Sequence, residues 1–410
     1  MSFSGRKTYR LGEIATFYNG RAYKNEEFLL TGTPIVRIQN LTGEGKTVFS
    51  DLNLEPNKYI DKGDLIYAWS ATFGPYLWKG EKSIYHYHIW KIECKENLLD
   101  KYYFYYTLKH ISDRLKSGGN GTLFVHITKG FMESFEIDIP NISIQRKTAS
   151  ILSSLDDAIE LNQQINKTLE EMAKAIFKEW FVDFNFPNAT GKFQETEIGK
   201  IPFDWKVATF EDFFDADRGL SYKGAGLALA ESEATPMHNL NSVLEGGGYK
   251  TIGIKYYNGE YKDKHIVNAG EVIVANTEQG HKYMLIGYPA IVPQFYGEHG
   301  IFSHHIYRIR PKANCYLSPD FIFHLLLQPQ VRDQVVGFAN GTTVNMLKIE
   351  GLKKPKFAMP PKELAEKFGA IAKANRLQAE QNIEENQSLI NLRDTLLPKL
   401  MKGEIELSEK

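Results

Sequence analysis

The sequence predicts an α+β protein in which two similar globular units alternate with two long helices. Three observations predict it. Short motifs recur in the same order in the two halves of the chain. Within each half, short apolar runs of period two are punctuated by Gly, Asn and Pro, which reads as short strands and turns. Each half then closes on a long segment whose apolar residues return at spacings of three and four, the seam of a paired helix.

The chain has 410 residues, enough for two to four domains at roughly 100–200 residues each. Hydrophobic residues make up 42% and charged residues 24%, a balance that supplies sizeable cores and excludes disorder as the main state. Two cysteines, Cys94 and Cys315, exclude a disulfide framework and a Cys-rich zinc site and point to a reducing compartment. The basic N-terminus carries no apolar core of a secretory signal, and no run of about 18 apolar residues could span a membrane. The net charge is −1, and no segment is strongly basic. That argues against a non-specific nucleic-acid coat and does not exclude a sequence reader that binds DNA together with other subunits.

The first unit occupies 1–142. Its 62–74 stretch, Lys-Gly-Asp-Leu-Ile-Tyr-Ala-Trp-Ser-Ala-Thr-Phe-Gly, is answered by 268–280, Asn-Ala-Gly-Glu-Val-Ile-Val-Ala-Asn-Thr-Glu-Gln-Gly. Each reads as Gly, an acid, an apolar strand, then a small polar loop ending in Gly. His88-Ile89-Trp90-Lys91-Ile92 is answered by His305-Ile306-Tyr307-Arg308-Ile309, a half-buried strand in both. Alternation along such a strand sets His86 and His88 on one face and His304 and His305 on opposite faces. With no converging carboxylate or Cys, these are structural histidines rather than zinc ligands. An aromatic helix follows in each unit (102–110 and 320–329), then Asn120-Gly121-Thr122 and Asn340-Gly341-Thr342, and then Pro140 and Pro360. Ordered recurrence of this kind marks a tandem duplication.

The first long helix occupies 143–184. Leu155, Ala158, Asn162, Ile165, Leu169, Met172 and Ile176 form its expected seam, with Asn162 setting register at some expense of stability. A Pro, Gly, Asn and Thr-rich stretch at 185–205 reads as a linker, and Ile201-Pro202 with Trp205 opens the second unit, 206–360. The second helix lies within 361–400, bounded by Pro361 and Pro398, before a tail at 401–410. Its seam places Asn382 where the first has Asn162, with Leu389, Leu392 and Leu396 beyond; the middle is polar. The pair should grip at its ends and be looser, or covered by a partner, at its centre.

No phosphate-binding GxxxxGK[ST] loop, no methyltransferase Asn/Asp-Pro-Pro-aromatic run and no nuclease carboxylate–Lys signature is present, so the chain reads as non-catalytic. The repeated unit-plus-helix plan, with Ile201-Pro-Phe-Asp-Trp205 opening the second copy, resembles the specificity subunit of type I restriction–modification enzymes. The likeness covers essentially the whole chain. It rests on 11–20 (Leu-Gly-Glu-Ile-Ala-Thr-Phe-Tyr-Asn-Gly), 32–41, 62–74 and the proline before each helix. At that proline the family commonly shows Pro-Pro-x-x-Glu-Gln; Pro140 with Gln145 keeps one half of the motif and Pro360-Pro361 the other.

The resemblance implies two target-recognition domains, each reading one half of a bipartite, asymmetric site in double-stranded DNA. It implies helices that pair as an antiparallel coiled coil, space the half-sites and dock two modification (methyltransferase) subunits. S-adenosylmethionine, and ATP with Mg in the restriction complex, would sit on the modification and restriction/motor subunits, none on this chain. The home would be the cytoplasm of a prokaryote, with no membrane partner. Helices of about 36 residues span roughly 54 Å, so the half-site centres would lie about one to one and a half DNA turns apart.

Base edges are read by Arg, Lys, Asn, Gln, Ser and Thr, and thymine methyls by apolar atoms. Polar loops at strand ends therefore supply the DNA-binding candidates: Arg21, Tyr23, Lys24, Ser70, Thr72, Phe73 and Lys79 in the first unit; Tyr222, Lys223, Asn276, Thr277, Gln279, His281 and Lys282 in the second. Each also reads as an ordinary polar turn residue. The two Asn-Gly-Thr turns fit a turn or a phosphate contact better than base reading. Trp69, Tyr85 and Trp90 read as core. Asn162, Leu169, Met172, Ile176, Asn382, Leu389 and Leu392 are the candidates for helix pairing and subunit docking. The competing reading is a coiled-coil interaction scaffold whose globular units bind a non-DNA ligand, which the near-zero charge favours.

Overall fold

A computed structural model gives the fold, and it describes residues 5–43, 45–117, 127–229, 234–280, 282–341 and 343–407. The chain divides into two compact units, Met1–Glu160 with Asn386–Lys410 and Leu161–Glu385. Each therefore contains one globular body and a stretch of both long helices.

The bodies repeat one four-stranded sheet, one parallel strand pair and one closing ribbon, which establishes the duplication. In the first, an antiparallel sheet has the order Ala15–Asn19, Ile89–Cys94, Leu65–Ala68, Gly74–Leu77. In the second, the order Phe214–Arg218, Ile306–Pro311, Val272–Ala275, Pro289–Ile291 repeats it strand for strand. A second sheet in each contains one parallel pair, Thr33–Val36 with Ser83–Tyr85 and Thr235–His238 with His299–Phe302. An antiparallel ribbon closes each body by joining its ends: Lys7–Arg10 with Glu136–Ile139, and Lys206–Thr209 with Lys356–Met359.

Why the repeated Gly-acid motif exists becomes plain here. Asp64 takes the amide of Asp61 at 2.9 Å and pairs with the half-buried Lys91 at 2.9 Å. In the second copy Glu271 takes the Asn268 amide at 2.6 Å and lies 3.7 Å from the buried Arg308, which also holds Asp217 at 2.6 Å. A turn and a cross-strand charge pair are thus tied by one carboxylate, and losing either partner would strand a charge inside. Gly20, the end of the 11–20 motif, is equally constrained. A Cβ there would lie 2.2 Å from the His86 carbonyl oxygen, and one at Gly219 would lie 2.3 Å from that of Ser303. Both glycines sit where one strand end runs against the crossing between the two sheets.

The long helices run Ile142–Phe181 and Lys362–Lys402. In the first unit Ala149 and Leu152 share a core with Leu400 and Met401, joined by Asp156 to Arg393 at 2.7 Å and the Asn386 side chain on the Ile159 carbonyl. In the second, Ala173, Phe177 and Phe181 share a core with Ala365, Phe368 and Ala372. There Asn162 binds Glu385 at 3.0 Å, Asn166 binds Asn382 at 2.7 Å, and Asn375 binds the Leu169 carbonyl at 3.1 Å. Numbers fall on one helix as they rise on the other, so the helices pair antiparallel. The grip is apolar at the ends, as the sequence pattern suggests, while its centre is held by paired amides rather than left loose.

Three expectations are corrected. The seam of the first helix is rotated by about one residue. Ile165 and Met172 are exposed, while Asn166, Ala173 and Phe177 face inward. Apolar spacing alone could not decide the phase, because an equally regular apolar stripe runs beside the seam. Pro398 does not end the second helix but lies inside it. The lost backbone bond is offset by burial of Leu400 and Met401 beyond it. The histidine pairs are not on strands: residues 86–88 and 303–305 form the turn that crosses between sheets, and strands begin at Ile89 and Ile306. Turn geometry puts His304 and His305 rings 3.9 Å apart, where strand alternation would separate them.

The 185–205 stretch contains an ordered hairpin, Phe193–Thr196 with Gly199–Pro202, and Trp205 is buried against Phe186. Gln145, the half-motif residue of the first copy, is fully buried. It holds the Leu98 and Pro140 carbonyls and accepts the Asp100 amide, each at 2.9 Å. The second copy has buried Ala365 there and none of these bonds.

Candidate nucleic-acid interface

In each body three loops meet at the sheet crossing. In the first, they are the loop after Ala15–Asn19, the 69–73 hairpin loop and the 86–88 turn. Tyr23 stacks on His86, Arg21 bridges to His86, and Trp69 packs edge-on against His88 at 5.0 Å and donates to the Tyr87 carbonyl at 2.9 Å. Burial, helped by His88 and Arg37, pulls the His86 pKa down to about 4, and burial pushes the Tyr23 hydroxyl up. The His86 and Tyr23 rings are therefore neutral at neutral pH.

The same junction exists in the second body. Tyr222 faces His304 and receives Lys255 at 3.1 Å; the Asn276 amide donates to the His304 carbonyl at 3.0 Å; Thr277 bonds His305 at 3.1 Å. Burial, then His304 and Lys255, lowers the His305 pKa. Both hairpin loops hold a non-glycine residue at positive φ, Ala71 at 58° and Tyr283 at 49°. Such conformations persist where surrounding contacts over-determine them, as at binding loops.

The candidates are therefore placed unequally. Arg21 is held by Glu27 at 2.7 and 2.9 Å, a bond that keeps the Glu27 carboxyl down near pKa 2. Lys24, Lys223, Gln279 and Lys282 are exposed. Ser70 is buried, Thr72 is half-buried, and Phe73 packs on the first core. Lys79 stands apart, paired with Glu160 on the long helix. Asn276 and Thr277 are inside, at 2% and 3% exposure, so they build the junction rather than its surface. His281, Thr342 and 120–122 lie outside the described residues. Tyr85 and Trp90 are core, and Trp69 is half-buried beside them.

One element was not foreseen. Thr277–Gln279 pairs with Val344–Leu347, which pairs with Ala339–Asn340, forming a three-stranded ribbon in the second body. The Asn340-Gly341 turn is its tip. The signal was in the sequence, an Asn-Gly pair before the alternating Val344-Asn-Met-Leu347, but its partner strand is 65 residues upstream. Among the described residues, no cluster of three His, Cys, Asp or Glu side chains could hold a metal, and no helix is long and apolar enough to cross a membrane. A cleft of about 370 Å³ in the second unit contains Arg376, already bound to Asp320 and Glu380.

Two copies of one α+β body, each with polar loops gathered at a braced sheet crossing and each followed by half of a helix pair, define a class of twofold recognition scaffold. A family model described as "Type I restriction modification DNA specificity domain" matches residues 4–171 and 202–384, and the chain belongs to that family. It is 24% identical over 323 residues to the type I restriction enzyme MjaIX specificity subunit of Methanocaldococcus jannaschii, covering 77% of this chain and 71% of that one. It is 33% identical over 192 residues to the HindI specificity subunit of Haemophilus influenzae, covering 44% and 41%. The fold matches the crystal structure of a type I restriction–modification S subunit from M. genitalium at a TM-score of 0.64 and 14% identity, covering 98% and 97% of the two chains.

Proposed function

We propose that this chain is the non-catalytic, DNA-reading specificity subunit of a cytoplasmic type I restriction–modification complex. Each body reads one half of a bipartite, asymmetric site, and the long helices set the gap between the halves. The observation that carries this reading is the strand-for-strand repetition of one four-stranded sheet in two bodies with unlike loops. Two equal scaffolds approach DNA alike, while different side chains on them read different bases.

The helices also dock two methyltransferase subunits. In the second unit Leu169, Met172 and Ile176 form an apolar stripe whose middle residue is 48% exposed. In the first unit Leu389, Leu392 and Leu396 form the same stripe, shifted by the repeat, with Leu392 also 48% exposed. Two equal apolar stripes call for two copies of one partner. S-adenosylmethionine belongs to those subunits, and ATP with Mg to the restriction/motor subunits.

Exchange of residues 1–142 for the matching body of a related chain tests the reading. Sequencing of methylated sites should show one half of the site changed and the other kept. A change in both halves, or in neither, overturns it.

A further inference from the structure

The outer face of the three-stranded ribbon is unlike a surface that meets only water. Gln279 lies opposite Val344, and Met346 lies between Thr277 and Asn340, so these five side chains share one face, with Thr277 buried against His305 at its inner end. Val344 and Met346 are each 45% exposed, and Gln279 and Asn340 are exposed beside them. The inner face is locked. Buried Glu278 accepts the amides of Met284, Leu285 and Ile286 at 2.8, 2.8 and 3.1 Å, and the buried Asn345 amide holds the Gly280 carbonyl.

Charge selects the partner. Over residues 277–286 and 339–348 the only carboxylate is Glu278, turned inward and taken up by three amides, while Lys282 and Lys348 are exposed. The exposed charge of these two segments is positive, so the ribbon and its flanks complement a polyanion. Three strands at about 4.8 Å spacing are roughly 10 Å across, which fits a major groove of about 12 Å.

We infer that Val344 and Met346 are specificity-determining residues that contact thymine 5-methyl groups in the major groove of the second half-site. Gln279 and Asn340, beside them, are placed for the N6/N7 edge of adenine. This rests on the DNA-reading function proposed above and adds the chemistry of one half-site.

The test uses the chain assembled with its methyltransferase subunits and duplexes carrying the mapped site. Each thymine of the second half-site is replaced in turn by uracil, which removes only the methyl group. At one or two positions the substitution should weaken binding about fourfold, the effect of one lost methyl contact. Val344→Ala or Met346→Ala should weaken binding to the thymine duplex by a similar factor and abolish the response to uracil at one position each. Circular dichroism checks that the variants fold; Val344→Thr, which keeps shape and exposure, serves where Ala does not. Uniform weakening on every duplex, or unchanged response to uracil in both variants, overturns the inference while leaving DNA reading intact. Loss of subunit assembly instead of DNA affinity overturns it in favour of a protein contact. Failure of the wild-type assembly to bind any site duplex sinks the function proposed above as well.

Discussion

His238 shows how single residues here serve structure and set conditions of stability. It is 1% exposed, its Nδ1 lies 2.7 Å from the Tyr249 hydroxyl, and burial pulls its pKa down to about 4. His324, 5% exposed beside Phe177 and Phe368, is lowered to about 4 chiefly by burial. Unfolded, both titrate near 6.5. Between pH 6.5 and 4 the unfolded chain binds more protons, so the stability these rings contribute is complete above pH 6.5 and falls as pH drops toward 4. At pH 5.5 each should contribute about 1 kcal/mol less than at pH 7.5. Denaturant melts at the two pH values check this, and the difference should shrink in His238→Gln. Equal pH sensitivity in the variant would refute the assignment. At the same scale, Asn276 and Thr277 look like base readers in the sequence, yet both are buried, and the Asn276 amide nitrogen and the Thr277 hydroxyl bond His304 and His305. A loop's composition does not tell which of its side chains face inward.

The long helices illustrate what an element can do with two apolar stripes. One stripe is the seam; the other, displaced by a residue, contains Met172 on the first helix and Leu392 on the second. Both are half-exposed, so aspartate there costs the fold little. Met172→Asp should remove one methyltransferase subunit from the assembly, Leu392→Asp the other, and the pair both, each binding constant weakening by about tenfold or more. Native mass spectrometry counts the subunits retained. A single substitution that releases both subunits, or neither, contradicts two separate equal docking sites. The half-buried Asn166–Asn382 pair lies between the stripes' levels and explains the polar mid-seam pattern. A paired amide inside a seam favours one register over others.

At the scale of the molecule, the helices should act as a ruler. One heptad inserted into both, in phase, keeps the seam facing its partner and adds about 10 Å, roughly three base pairs. Sequencing of methylated sites should show both half-sites unchanged and the gap lengthened. The added base pairs also rotate one half-site by about 100°, so the longer site should be methylated more slowly. An unchanged gap in a folded, assembled variant would leave the helices as docking surfaces only.

Composition and repetition by themselves determined the class of this protein: the doubled body, the long helix after each, the absence of phosphate-loop and methyltransferase motifs. These follow from local signals, such as the Gly-acid turn of Asp64 and Glu271 or the apolar seam, which act over a few residues and are written twice. What only the tertiary structure decided was direction. It set the phase of the helix seam, put the histidine pairs in a crossing turn, carried the second helix through Pro398, and joined Thr277–Gln279 to Val344–Leu347 across 65 residues. The physical reason is the same in each case. Side-chain direction depends on which distant surface an element packs against, and contacts between residues far apart in sequence leave no periodic trace along the chain.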